Sequence, residues 1–259
     1  MRFPLFIYLT FLILFFQNMQ ANTLTVNFVG NNWCPQHCID NKKNPGYLVE
    51  IAQASLKVSN INSTMTFEPW LRAIKNVKDG TYDGLLTPAQ SEEKDLIRHK
   101  ISLASQRFCF YAKKSDKLVL NNLQDFKNKF IAFTKGNNLG SEFMDFINSK
   151  ENNVKLSKII SNNSEFAPRV FKFLLKRNID AIAITEDFGD YYLGKNPEIK
   201  QLVEKQYCTK EEFLHVGLSP KNIPRSRVIA THIDIGLKKI KENGTYNKIL
   251  NKYFLNFNH

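Results

Sequence analysis

Residues 65–87 read Met-Thr-Phe-Glu-Pro-Trp-Leu-Arg-Ala-Ile-Lys-Asn-Val-Lys-Asp-Gly-Thr-Tyr-Asp-Gly-Leu-Leu-Thr, and this stretch decides the fold class. Met65-Thr66-Phe67 is the end of a strand. Pro69 has a φ preset for the first helical turn and no N–H to leave unpaired there, so a helix begins at it. Trp70, Ala73, Ile74 and Val77 recur at helical spacing and form one apolar stripe. Gly80 suits a left-handed C-terminal cap, and residues 82–86 resume as an apolar strand. Strand, helix, glycine stop and strand together make the unit of an α/β sheet.

The same order continues on both sides. Residues 24–29 alternate like a strand, and residues 47–57 place Tyr47, Ile51, Ala54 and Val58 along one helical face. Residues 106–112 are apolar and aromatic enough for a longer strand, which the polar junction Lys113-Lys114-Ser115-Asp116 interrupts. A new unit follows: strand 130–133, loop 134–140, helix 141–148 with Phe143, Phe146 and Ile147 inward, helix 167–176 and strand 179–184. After an apolar run at 213–218, the Ser219-Pro220 break leads into helix 225–241 and a last helix beyond Gly244. No internal repeat or low-complexity segment interrupts this order.

Met1-Arg2, an apolar run over residues 5–16 and a polar end closing on Ala21 read as a secretory signal peptide, residues 1–21, with an uncleaved anchor as the alternative. No cysteine follows the run to carry a lipid. The remaining length suits two lobes of about 100 residues each. The chain of 259 residues carries a formal net charge of +12. Its lysines stand in ones and twos with no basic block, which is a solvated surface rather than a nucleic-acid footprint, and an exported protein meets little nucleic acid. Four cysteines in an oxidising compartment allow three disulfide pairings. Cys34 and Cys38 are close enough to close a small loop, which leaves Cys109 with Cys208. The alternative, Cys34, His37 and Cys38 as metal ligands, lacks a second ligand pair at zinc spacing.

Five short motifs occur in a fixed order: Gly46-Tyr47-Leu48-Val49-Glu50-Ile51, Pro69-Trp70-Leu71-Arg72-Ala73, Gly80-Thr81-Tyr82-Asp83-Gly84, Asn178-Ile179-Asp180-Ala181 and Gly244-Thr245-Tyr246 before Lys252-Tyr253. In order and spacing the chain resembles bacterial solute-binding protein family 3, the periplasmic polar-amino-acid-binding proteins of ABC transporters. The resemblance implies a two-lobed α/β fold of the periplasmic-binding-protein type II, each lobe a mixed sheet flanked by helices. Lobe 1 would comprise residues 22–112 and 218–259, lobe 2 residues 113–217, with two hinge strands between them. It implies a periplasmic, monomeric protein without cofactor that captures a small polar solute, an amino acid or related compound, and delivers it to a membrane permease. The alternative is a sensing or accessory module that docks on a membrane receptor and takes a ligand other than an amino acid.

Carried over residue by residue, the family's pocket falls on Trp33, Trp70, Thr87, Gln90, Lys94, Thr134, Asn137, Asn138, Thr185 and Glu186. Trp33 and Trp70 also fit a lobe surface and a helix core. The family's arginine, which grips a ligand carboxylate through a two-pronged ion pair, is missing, and Lys94 is its nearest match. The family's carboxylate for a ligand ammonium falls on Thr185, with Glu186 and Asp187 next in line. With both anchors of an α-amino acid altered, a different polar solute, anionic in view of the lysines, stands beside an amino acid as the expected ligand.

An enzyme is not expected. The sequence holds no Gly-x-Ser-x-Gly, no Walker loop and no metal-spaced histidine pair. Nothing pairs His37, His99, His215, His232 or His259 with a nucleophile, and the charge run at Glu92, Glu93 and Asp95 reads as solvated.

Overall fold

The computed structural model describes residues 24–39, 41–89, 92–134, 139–159, 166–176 and 178–254. The signal-peptide reading falls outside them. Among the described residues no helix is long and apolar enough to cross a membrane.

In chain order the strands are β1 (Thr25–Gly30), β2 (Asn62–Phe67), β3 (Gly84–Leu86), β4 (Ile97–Arg98), β5 (Ala104–Gln106), β6 (Phe108–Lys113), β7 (Phe130–Thr134), β8 (Lys155–Ile159), β9 (Ala181–Thr185), β10 (Val203–Cys208), β11 (Glu212–Leu214) and β12 (Val216–Leu218). The helices are α1 (Tyr47–Lys57), α2 (Trp70–Lys78), α3 (Ser141–Asn148), α4 (Phe166–Lys176), α5 (Glu186–Lys195), α6 (Pro197–Lys200), α7 (Ile223–Glu242) and α8 (Thr245–Phe254).

Two five-stranded mixed sheets result. The first runs β2-β1-β3-β12-β4, with β1 parallel to β2 and β3 and β12 antiparallel to β3 and β4. Period-two alternation splits β1 between two layers: Val26 and Phe28 pack with Leu48 and Ile51 of α1 and Ile233 and Leu237 of α7, while Val29 packs with Ala73 and Val77 of α2. Gly80 ends α2 at φ 85°, as its cap position demands. At Gly236 a Cβ would lie 1.9 Å from the Ser55 carbonyl oxygen, so only glycine lets α7 and α1 come this close.

The second sheet runs β10-β6-β9-β7-β8, with β7 parallel to β8 and β9. In β6, Cys109 and Tyr111 face the layer holding Phe171, Leu174 and Phe188, while Phe108 and Phe110 face Phe126 and Phe143. Each sheet with its helices buries its own core, so each is a lobe.

The chain changes sheet at β5 and β11, which form a separate antiparallel pair with Gln106 opposite Glu212. The crossings therefore lie before residue 112 and before residue 217, where the sequence places the lobe boundaries: β6 already belongs to the second sheet, and β12 has returned to the first. The polar run Lys113–Asp116 that suggests a boundary is a 3-10 turn at Lys114–Asp116 inside the second lobe. Just beyond the crossing strands, Cys109 and Cys208 are disulfide-bonded across β6 and β10.

Candidate functional site

The cleft between the lobes lies at the C-terminal ends of β1, β3 and β9, where open α/β sheets present loops and backbone donors. After β1, the loop Trp33–Cys38 is closed by the Cys34–Cys38 disulfide and by paired backbone bonds, Trp33 N–H to the His37 carbonyl at 2.8 Å and His37 N–H to the Trp33 carbonyl at 3.0 Å. Both sulfurs are thus bonded to each other, which removes the metal-ligand alternative for this loop. The loop presents Trp33 to the second lobe: its Nε1–H donates to Thr185 Oγ1 at 2.8 Å and its ring stacks on Phe188 at 4.5 Å. Beside it, Tyr47 Oη–H donates to Asp187 Oδ2 at 3.1 Å, and Gln36 Nε2 donates to Gln106 Oε1 on β5 at 2.9 Å. The lobes are therefore drawn together around the cleft.

A cavity of about 40 Å³ remains between them. Its walls include Trp33, Gln36, His37, Trp70, Thr87 and Glu92 from the first lobe, Gln106 from the crossing, and Phe108 and Thr185 from the second lobe, with Asn31 and Ala89 completing it. Thr87 sits at φ 50°, outside the conformations that a β-branched residue prefers, at the end of β3. Its N–H donates to the His215 carbonyl at 3.1 Å, and its hydroxyl lies 3.1 Å from His37 Nε2. Burial lowers His37 from 6.5 to about 3, so its ring is neutral at pH 7.

Glu92 is fixed by two neutral donors, Trp70 Nε1–H to Oε1 and Ala89 N–H to Oε2, both at 2.8 Å. Burial without a cationic partner at bonding distance raises its pKa. Next to it, Glu93 is buried, 3.4 Å from Arg98 Nη1, and burial raises its pKa too.

The cavity thus brings together four residues expected from the sequence, Trp33, Trp70, Thr87 and Thr185. Lys94 is exposed on a 3-10 turn and Thr134 is buried at the end of β7, both away from the cavity walls. Glu186 turns outward: Arg107 clamps it with Nε–Oε2 at 2.6 Å and Nη2–Oε1 at 2.8 Å, and Lys205 adds a contact of 2.8 Å. These hydrogen-bonded cations lower it to about 2. Gln90, Asn137 and Asn138 lie outside the described residues.

Sequence reasoning missed Glu92, Gln36, Gln106 and Phe108 as cleft residues. Glu92 is three residues after Ala89, the spacing at which a side chain reaches back to a turn N–H, and that was the available signal. For Gln36 and Gln106, 70 residues apart, only the fold supplies the juxtaposition.

A search of curated proteins found no match. Among solved structures, an ancestral arginine-binding protein bound to arginine is 18% identical, with a TM-score of 0.71 over 89% of this chain and 98% of that one. A histidine kinase sensor domain with similarity to periplasmic binding proteins is 13% identical, with a TM-score of 0.72 over 90% and 96% of the two chains. A periplasmic binding protein of Salmonella typhimurium, described for its high arginine specificity, is 13% identical at a TM-score of 0.68, over 90% and 100%. At these identities the likeness establishes the fold. The family profile of the bacterial extracellular solute-binding proteins, family 3, matches residues 26–256. With two lobes, a crossing pair of strands and a cleft lined from both sides, the chain belongs to that family.

Proposed function

We propose that this protein captures a small polar solute, an amino acid or related compound, in the interlobe cleft and delivers it to a membrane ABC transporter. The observation that carries the reading is Trp33: a first-lobe side chain, 5% exposed, sits in the second lobe's core cluster and walls the cavity from above. A cleft closed by such contacts couples occupancy to lobe position, which is what a partner on the membrane reads. In this reading Trp33, Trp70, Thr87 and Thr185 contact the solute together with Glu92, Gln36 and Gln106. Residues 1–21 direct export to the periplasm and are removed there, and the mature protein acts as a monomer.

The fold is shared with a histidine kinase sensor domain, which supports a second reading, a module that docks on a membrane receptor. Retention of residues 1–21 as an anchor would favour the receptor, and release as a free protein the transporter.

A thermal-shift screen of the secreted protein against amino acids, amines, organic acids and sugars tests solute capture. A solute at about 100 times its Kd adds roughly 2.7 kcal/mol, a rise of about 5–10 °C for a chain of this size. A selective rise within one chemical class is expected. A folded protein that responds to none of them would refute it.

A further inference from the structure

We propose that the cleft selects a small organic cation that carries an ammonium group and no carboxylate. The inference deepens the solute-capture reading and rests on it.

Charge decides the class. Glu92 is the one carboxylate on the cavity wall, and no lysine or arginine lines it among the described residues. The basic groups nearby in sequence are committed elsewhere: Arg98 to Glu93, Arg107 to Glu186, and Lys94 to solvent. His37 is neutral at pH 7 because burial disfavours its charged form. An α-amino acid brought here would place its carboxylate in a desolvated site where no described residue offers a counter-charge. Its ammonium would find Glu92 there as a counter-charge.

Glu92 is arranged to receive an ammonium. Each of its oxygens accepts one hydrogen bond from a neutral donor, Trp70 Nε1–H or Ala89 N–H, which fixes the carboxylate and leaves each oxygen a further lone pair. Burial of the charge raises its pKa, so a bound cation would relieve the carboxylate of the penalty that it carries alone.

The remaining wall agrees with this assignment. Trp33, Trp70 and Phe108 supply aromatic rings, which attract organic cations. Gln36, Gln106 and Thr87 supply neutral donors and acceptors for a hydroxyl or a second amine. The cavity of about 40 Å³ has room for a few water-sized groups, which points to a short cation.

Matched pairs that differ only by the carboxylate test the proposal on the full secreted protein: ethanolamine against serine, and putrescine against ornithine, by isothermal titration at pH 7.5. We expect the carboxylate-free member of at least one pair to bind tenfold or more tightly than its partner. Glu92→Gln should weaken that binding by tenfold or more while its melting transition stays cooperative. Tighter binding of serine, of ornithine or of any organic acid would overturn the cation assignment and leave solute capture standing. Amine binding unchanged in Glu92→Gln would overturn it equally. Should the variant not fold, the matched pairs on the unaltered protein decide alone. If neither these probes nor the broader panel binds, both readings fall together.

Discussion

Glu92 lines the cleft and Glu186 directly follows the cleft residue Thr185, yet the fold treats them in opposite ways. Glu186 follows Thr185 and is held by Arg107 and Lys205, and its carboxyl is depressed to about 2. Glu92 receives only an indole and a backbone N–H, and its carboxyl is raised. The first charge is spent on the protein itself, whereas the second is fixed in place and kept for something else. The surroundings differ to match. The Glu186 carboxylate lies within 4.8 Å of the Cys109 and Cys208 sulfurs, so ionic and covalent ties meet at one edge of the second lobe. Around Glu92 the ties are neutral hydrogen bonds and ring contacts. A carboxylate met by cations holds the fold together, and one raised by burial without them is a candidate for recognition.

The largest test of this contrast is to untie the Glu186 edge. The double variant Cys109→Ser with Cys208→Ser reopens a loop of 99 residues and should cost about 4 kcal/mol, lowering Tm by about 10 °C in a calorimetric scan. A shift under about 2 °C would mean that this edge is not where the second lobe is held.

Next in size, Glu186→Gln leaves Arg107 and Lys205 facing each other without a shared carboxylate. It should destabilise by on the order of 2 kcal/mol, since both cations are partly exposed and screened. Glu92→Gln should change stability by about 1 kcal/mol or less in urea denaturation, because the charge that it removes is one that burial already disfavours. Equal losses in the two variants would erase the distinction.

The smallest effect is in pH. Glu186 is depressed in the native state, so its contribution is complete above its ordinary value of 4.5 and disappears as pH falls toward about 2. His37 and His99, lowered by burial to about 3 and about 4, also weaken the fold on acidification below 6.5, because the unfolded chain takes up protons that the native rings refuse. Both histidines are present in wild type and in Glu186→Gln, so their effect cancels in the difference. The stability gap between the two proteins should therefore narrow from pH 5 to pH 3. A constant gap would contradict the ion-pair account.

The first lobe is the more legible in sequence because its signals are local: Pro69 starts α2, Gly80 stops it, and β1 alternates. The second lobe hides more, β8, α5, α6 and β10, of which α5 and β10 show why. The sequence gives Glu186 and Asp187 as loop carboxylates, although acidic residues following a threonine are also a helix's first turn, which is what they are in α5. β10 carries Glu204, Lys205 and Gln206 at its centre, and pairs along one edge only, so its polar run shows no strand alternation. The cleft divides similarly. Aromatic and hydroxyl residues at strand ends are visible as candidates, as with Trp33 and Thr87. Whether a glutamate within the run Glu92–Asp95 faces water or a cavity depends on Trp70, 22 residues away, and no local pattern records that.

The Cys109–Cys208 bond makes the second lobe a covalent ring. A protease that nicks the chain anywhere between these residues leaves one molecule, not two, until a reductant is added. The ring closes just past the pairing of Gln106 with Glu212, so the two crossing strands are riveted at one end and cannot slide along each other. A motion that separated the lobes would be left with bending and twisting of a doubled ribbon, with the strands held in the same register.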